Sequence, residues 1–447
     1  MSEPTETQTR IDEAIAEDRL SDVARLLREL GTREIVHRIE HSPRRRAAVV
    51  FRLLPKARAV DVFEKLGTAT KGELIRGLQD ADVTALFAEL PPDDRVTLLD
   101  EVPATVAQRL LSGLDESERG VTTIMLGYPS RSVGRRMSPE FTLAHPEWRV
   151  AAALESVLAD VDRADTIYAV PVTDGERRLV GIVSLRELLA NDGDTLIGDI
   201  MRPVISVTAS EDAEDAARLC SQQGLLALPV VDRETRLVGI LAADDASRIL
   251  REAEAEDVAR AGGSEPLRRP YLSTSILRIA RSRVVWLLVL AVSALLTVQV
   301  LEVFEATLGD MVALALFIPL LTGTGGNTGS QAATTITRAL AVGDVRTRDI
   351  AKVMLREVRV GILLGLLLGT LGFALASVVY DLSLGIVIGT TLLCICAMAA
   401  TVGGSMPLIA KKIKVDPAVF STPFITTFCD ATGLLIYFSI AKAVLGI

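Results

Sequence analysis

Asp430 sits in an apolar run, Pro423-Phe424-Ile425-Thr426-Thr427-Phe428-Cys429-Asp430-Ala431-Thr432-Gly433-Leu434. A lone carboxylate at membrane depth costs at least about 2.5 kcal/mol on insertion scales, and such residues usually line ion or proton paths. A protonated, hydrogen-bonded structural Asp is the competing reading. Thr426 lies one helical turn before Asp430 and Gly433 three residues after it, so the three form one small polar stripe. Oxygen donors with a single carboxylate suit a hard cation. Mg²⁺ keeps several of its waters and uses only one or two carboxylates. A symmetric dimer would bring two copies of Asp430 to one axis. A second polar stretch, Leu320-Leu321-Thr322-Gly323-Thr324-Gly325-Gly326-Asn327-Thr328-Gly329-Ser330-Gln331, also lies between apolar residues. Its glycines and Pro319 predict a weakened helix whose carbonyls reach a neighbour or an ion. Gly325 and Gly329 also fit plain small-residue packing. Asn327, Ser330 and Gln331 are polar groups that packing alone does not require.

Five stretches could position these residues: 284–301, 311–337, 360–380, 382–410 and 417–441. Each is near the roughly 20 residues a bilayer crossing needs. Arg278, Arg281 and Arg283 precede the first; Arg338, Arg346, Arg348, Lys352, Arg356 and Arg359 follow the second; Lys411, Lys412 and Lys414 follow the fourth. The loops between hold acids. This alternation predicts an N-terminus inside and a C-terminus outside. Lys442, on the wrong side, is close enough to the end to snorkel.

The chain has 447 residues, 49% hydrophobic yet 23% charged, with mean hydropathy +0.36. Both values are high because two unlike halves are joined. Residues 271–447 carry 13 Lys and Arg against 9 Asp and Glu, so the acidic excess lies wholly in residues 1–270. No basic footprint for nucleic acid exists. Four cysteines without a CxxC pair exclude a disulfide framework. Three histidines, with no nucleophile–base pair and no phosphate-cradling loop, argue against an enzyme. Met1 to Asp18 is polar and acidic without an apolar signal core, which places the N-terminus in the cytoplasm.

Arg136-Met137-Ser138-Pro139 recurs 64 residues on as Ile200-Met201-Arg202-Pro203. Ala169-Val170-Pro171-Val172 with Leu179-Val180-Gly181-Ile182 recurs 58 residues on as Ala227-Leu228-Pro229-Val230 with Leu237-Val238-Gly239-Ile240. Each copy reads as helix, strand, turn, strand, helix, and the pattern resembles a tandem pair of CBS domains. That resemblance implies a regulatory α/β module binding adenosine nucleotides or ions. Tyr168, Arg186 and Asp244 would then be the nucleotide candidates, with ATP a possible ligand and a structural or ion-sensing role the competitor. Residues 12–128 read as short amphipathic helices. Leu54-Pro55-Lys56-Ala57 and Leu90-Pro91-Pro92-Asp93 begin similar ones 36 residues apart, which predicts a superhelical solenoid. Asp93 and Asp94 there read either as caps or as ligands. From Asp244 to Asp257 runs an acidic helix. It is either a solvated linker or one wall of a gap whose like charges repel until a divalent cation neutralises them.

The order helical N-domain (1–130), tandem CBS pair (131–245), linking "plug" helix (246–270) and five-span all-α membrane domain (271–447) resembles the MgtE family of bacterial Mg²⁺ channels. Gly323-Thr324-Gly325-Gly326-Asn327-Thr328-Gly329 with Gln331, Arg338-Ala339-Leu340-Ala341, Val415-Asp416-Pro417-Ala418 and Asp430-Ala431-Thr432-Gly433-Leu434-Leu435-Ile436-Tyr437 carry the resemblance. It implies a multi-pass homodimer in the plasma membrane. Asp430 would be the selectivity carboxylate for hydrated Mg²⁺, with Gly323, Gly326, Asn327 and Thr426 beside it. It also implies closure by intracellular Mg²⁺ at Asp93, Asp94, Asp244, Asp245, Glu256 and Asp257. Departures from the family pattern are Arg248 and Ala253 in the linking helix, Gly224 before Leu225, and Thr422 before the proline of the last span. Fewer sensor carboxylates predict weaker closure. A proton- or Na⁺-coupled carrier and a membrane-tethered CBS sensor without transport are the competing functions.

Overall fold

The computed structural model describes residues 10–11, 14, 19–77, 80–267, 270–413 and 422–446. It divides into two compact units, Met1–Glu254 with Arg268–Thr274 and Ala255–Leu267 with Ser275–Ile447.

The first unit opens with short helices: α1 (Leu20–Glu29), α2 (Thr32–His41), α3 (Arg44–Arg52), α4 (Lys56–Lys65), α5 (Thr68–Gly77), α6 (Asp80–Glu89), α7 (Pro92–Glu101), α8 (Ala104–Ser112) and α9 (Glu116–Leu126). Pro43, Pro55, Pro91 and Pro103 stand at the N-caps of α3, α4, α7 and α8. Proline is tolerated there because the first turn has no helical partner for its missing N–H. The chain reverses every ten residues or so. Helices two places apart therefore pack together, α2 on α4, α3 on α5, α5 on α7 and α7 on α9, a superhelix around Ile35, Val50, Phe63, Phe87 and Leu98.

Next come α10 (Val150–Ala159), β1 (Ala169–Thr173), β2 (Leu179–Ser184), α11 (Leu185–Ala190), α12 (Ile197–Ile200), β3 (Val207–Thr208), α13 (Ala213–Gln222), β4 (Ala227–Val231) and β5 (Leu237–Ala242). β1 pairs antiparallel with β2; β4 pairs antiparallel with β5 and parallel with β3. The repeated motifs cross over. Ser138 exchanges backbone hydrogen bonds with Ile240 of the second repeat, and Arg202 exchanges them with Ile182 of the first. A Cβ on Gly239 would lie 2.6 Å from Met137 Sδ and one on Gly181 2.9 Å from Met201 Sδ. Each LVGI glycine thus makes room for the methionine of the other repeat. The helix α14 (Ala243–Ala261) follows and runs through the boundary between the units. It starts three residues earlier than the predicted linking helix and stops at the Gly262-Gly263 turn, where Gly263 takes φ +66°.

The second unit holds α15 (Ile276–Val303), α16 (Glu305–Asp310), α17 (Ala313–Ala341), α18 (Ile350–Val379), α19 (Leu382–Lys412) and α20 (Thr422–Leu445). By length and composition, α15, α18, α19 and α20 can cross a membrane. The remaining predicted span, the second (311–337), is α17, which has 29 residues and so reaches about 43 Å at ~1.5 Å per residue. It is long enough, but its Thr, Gly, Asn, Ser and Gln residues dilute its hydropathy. The expected interruption of this span is not found: α17 is one α-helix through Pro319 and all its glycines. Its carbonyls are therefore engaged in the helix. Thr322, Thr324 and Thr328 also donate to the carbonyls of Ile318, Leu320 and Thr324 at 2.9, 2.7 and 2.8 Å. Gly361, Gly365 and Gly369 of α18 lie against Cys396, Leu393 and Gly389 of α19, where a Cβ would come within 2.7 Å of backbone. The Val415-Asp416-Pro417-Ala418 motif lies outside the described residues.

Candidate functional site

In the second unit, α17 and α20 meet through small groups. A Cβ on Gly326 would lie 2.7 Å from Thr426 Cγ2, and one on Gly329 2.9 Å from Ile425 Cγ2. The Ser330 and Thr426 hydroxyls share a hydrogen bond of 3.3 Å, and Thr426 also donates to the Thr422 carbonyl at 2.9 Å. The structure thus brings Gly326, Ser330 and Thr426 together, with Asp430 one turn along α20 and half-buried. Gly323, Asn327 and Gln331 recur every fourth residue on the exposed face of α17, and a Cβ on Gly323 would meet nothing within 4 Å. Gly326 points the other way, into the α17–α20 contact. The four residues predicted to stand with Asp430 therefore occupy two faces of α17 and one of α20.

In the first unit, Asp93 and Asp94 stand in the first turn of α7, both buried, and neither caps the helix. Asp94 accepts from Lys71 Nζ of α5 at 2.9 Å in a buried ion pair. Asp93 Oδ2 lies 3.7 Å from Arg248 Nη2 of α14, and the same nitrogen hydrogen-bonds Asp245 one turn earlier. Arg136 reaches Glu252 of α14 at 3.4 Å. Burial and then Asp94 and Asp245 push the Asp93 carboxyl well above the ordinary carboxylate range. Burial likewise raises Asp245, partly offset by Arg248. Asp165 is exposed as a residue, yet the protein crowding its carboxyl, then Asp245, Asp244 and Glu140, lift its pKa to about 7.

Sequence reasoning missed Asp165, Glu140 and Lys71. The acid-rich segment Asp160-Val161-Asp162-Arg163-Ala164-Asp165 was a signal for the first only. Glu256 and Asp257 stand farther along α14, in the second unit, where Glu256 pairs with Arg260. Among the described residues no group of three or more His, Cys, Asp or Glu side chains is placed to hold a metal ion.

This crowding has a measurable consequence. A carboxyl whose pKa is raised by folding binds its proton more tightly when folded, so stability falls as pH climbs through that interval. For Asp165 the interval runs from the ordinary 3.8 to about 7. Thermal unfolding of the full chain in EDTA is expected to fall in midpoint between pH 5 and 7.5 and to level off above. A midpoint that is flat or rises over that interval would contradict the crowding.

A family model described as "MgtE intracellular N domain" matches residues 19–131, CBS-domain models match 131–193 and 197–252, and a model described as "Divalent cation transporter" matches 318–440. The protein named magnesium transporter MgtE of Thermus thermophilus is 35% identical over 97% of this chain and 98% of its own length. The chain belongs to the MgtE family. The MgtE of Bacillus subtilis is 28% identical over 97% of the chain and 96% of its own length. A solved structure titled as the cytosolic domain of the Mg²⁺ channel MgtE in complex with ATP is 31% identical, with TM-score 0.51, covering 54% of this chain and 98% of that one. The soluble part of a magnesium transporter is 28% identical, with TM-score 0.50, covering 57% and 100%. These MgtE relatives are named as transporters rather than enzymes.

The nucleotide candidates fall at matched places of the MgtE CBS pair. Arg186 and Asp244, 58 residues apart, each stand second in the helix that follows the outer strand of their repeat, in α11 and α14. Tyr168 is exposed just before β1 and accepts a backbone hydrogen bond from Leu185 at 3.1 Å. Asp244 acts electrostatically on Asp165, three residues from Tyr168.

Proposed function

We propose that this protein is a Mg²⁺-selective channel for uptake across the bacterial plasma membrane, a homodimer whose path runs between α17 and α20 of both copies. The observation that carries it is a half-buried carboxylate, Asp430, inside an apolar helix one turn from Thr426, whose hydroxyl meets that of Ser330 on α17, in a chain of the MgtE family. Mg²⁺ is the cargo. A path that leaves its water shell in place needs oxygen groups at second-shell distance and little else. Asp430 supplies the charge. Thr426 and Asn327 supply neutral oxygens, and the glycines keep side chains out of the way. The distribution of Arg and Lys supports a cytoplasmic first unit and an outside C-terminus.

The acids Asp93, Asp94, Asp244 and Asp245, with Glu256 and Asp257 farther along α14, form the regulatory part of this reading. Cytoplasmic Mg²⁺ would neutralise them and favour closure. The relative solved with ATP supports a nucleotide at the CBS pair, with Tyr168, Arg186 and Asp244 as its candidates. Growth of a Mg²⁺-uptake-deficient bacterium in low Mg²⁺ tests the transport reading: rescue is expected, and its absence in cells that make the protein refutes it. Flux into proteoliposomes that persists without a proton or Na⁺ gradient separates the channel from a coupled carrier.

A further inference from the structure

Among the described residues, the cation set against Asp93 is Arg248, on the same chain. Arg248 Nη2 reaches Asp93 of the helical domain at 3.7 Å and also hydrogen-bonds Asp245 of its own helix. One nitrogen thus spans two carboxylates that face each other from α7 and α14. Lys71 is committed to Asp94 by a buried 2.9 Å pair, so among the described residues it is Arg248 that faces Asp93 and Asp245. We propose that Arg248 is a tethered cation standing where a divalent ion would otherwise bridge Asp93 and Asp245, so that the first unit holds this arrangement largely without free Mg²⁺. This rests on the reading above that neutralising these acids favours closure.

A guanidinium fixed to α14 has no concentration dependence, because its supply does not change with the cytoplasmic ion. It carries one charge rather than two and presents donors to carboxylates in a planar fork. It therefore leaves part of the negative charge uncompensated, and Asp165 and Asp244 remain crowded around it. That single nitrogen stands between the two carboxylates at ion-pair spacing, 3.7 Å from Asp93 Oδ2, whereas Mg²⁺ would draw carboxylate oxygens to about 2.1 Å from itself. That spacing accords with the absence, among the described residues, of any acidic group arranged for a metal. The residue decides how strongly Mg²⁺ acts here without touching the ion.

The test uses the full chain in detergent micelles, with limited proteolysis rates measured in EDTA and across a MgCl₂ titration at constant ionic strength. Wild type is expected to be cleaved in EDTA within about twofold of its rate at saturating MgCl₂. Arg248→Gln leaves Asp93 and Asp245 facing each other unpaired, and breaking such a pair is strongly destabilising. It is expected to be cleaved at least about tenfold faster in EDTA and to recover with millimolar MgCl₂, while Arg248→Lys keeps most of the protection. The double variant Asp93→Asn with Arg248→Gln removes both charges and should regain protection in EDTA, which guards against Arg248→Gln simply failing to fold. A wild type as responsive to MgCl₂ as Arg248→Gln would overturn the proposal, as would an Arg248→Gln that stays protected in EDTA or that MgCl₂ does not restore. Since proteolysis needs no ion flux, a failure here is distinct from a failure of growth rescue.

Discussion

Asp430→Asn is expected to lower Mg²⁺ flux at least about 20-fold while leaving the folded protein intact. Two opposite charges, one of them double, about 5 Å apart attract by ~1.7 kcal/mol in a water-like medium and ~6.6 kcal/mol at an effective dielectric of about 20. A wet path beside a half-buried carboxylate lies between these limits. The smaller value alone is close to a factor of 20, and the larger one exceeds several thousand. The amide keeps the size and the helix position, so lost charge is the whole difference. An uncharged amide also costs less to keep at membrane depth, so the thermal midpoint should stay or rise. Asp430→Glu keeps the charge on a longer stem and should retain part of the flux. Entry of Mg²⁺ into dye-loaded proteoliposomes measures all three. Asn at wild-type rates would remove Asp430 from the path, whereas no entry with any of the three would favour a membrane-tethered sensor, in which the CBS pair reports without transport.

The architecture was largely legible because each level of it leaves a local mark. Proline before four of the short helices, LVGI strands in two copies and long apolar runs are features of adjacent residues. What escaped depends on partners far away in the chain. The spacing of the CBS repeats reveals two copies, but not that Met137 fills the space beside Gly239 and Met201 the space beside Gly181. Nor can Lys71, Asp165 and Glu140 be grouped with Asp93 and Asp245 before the solenoid and the CBS pair are folded.

The glycine-rich stretch of α17 misled for a different reason. In water each glycine weakens a helix by about 1 kcal/mol relative to alanine, so a run of them reads as an interruption. Within a bilayer no water competes for the backbone, and a helix is the arrangement that satisfies every N–H and C=O. The glycines serve contact instead. Gly325 lies against Ile395, Gly326 against Thr426 and Gly329 against Ile425, Cys429 and Ala399. Polar side chains at Asn327 and Gln331 are then left on the opposite, exposed face. The sequence signal was real, but its meaning was packing on one side and a polar wall on the other.

That division yields a second large effect. A Cβ on Gly403 of α19 would fall inside the van der Waals surface of the Gly329 carbonyl oxygen, with the Gly329 carbonyl carbon and Cα at 2.8 and 2.9 Å. Backbone faces backbone there, so no rotamer can give way, and α17 and α19 must move apart. Overpacking of this kind costs about 1–3 kcal/mol, and each kcal/mol lowers the unfolding midpoint by roughly 2–4 °C for 150–250 residues. Gly403→Ala should therefore unfold several degrees below wild type, with lower yield. Gly323→Ala is the control, since its Cβ would enter open space and alanine is the better helix former. Its midpoint should hold or rise, and a loss of Mg²⁺ flux in that variant would mark the exposed face of α17 as the wall of the path. Scanning fluorimetry and liposome flux on both variants separate the two roles. If Gly403→Ala unfolds at the wild-type midpoint, the close contact of α17 with α19 is wrong, and with it the placement of Asn327 on a face turned away from the helix core.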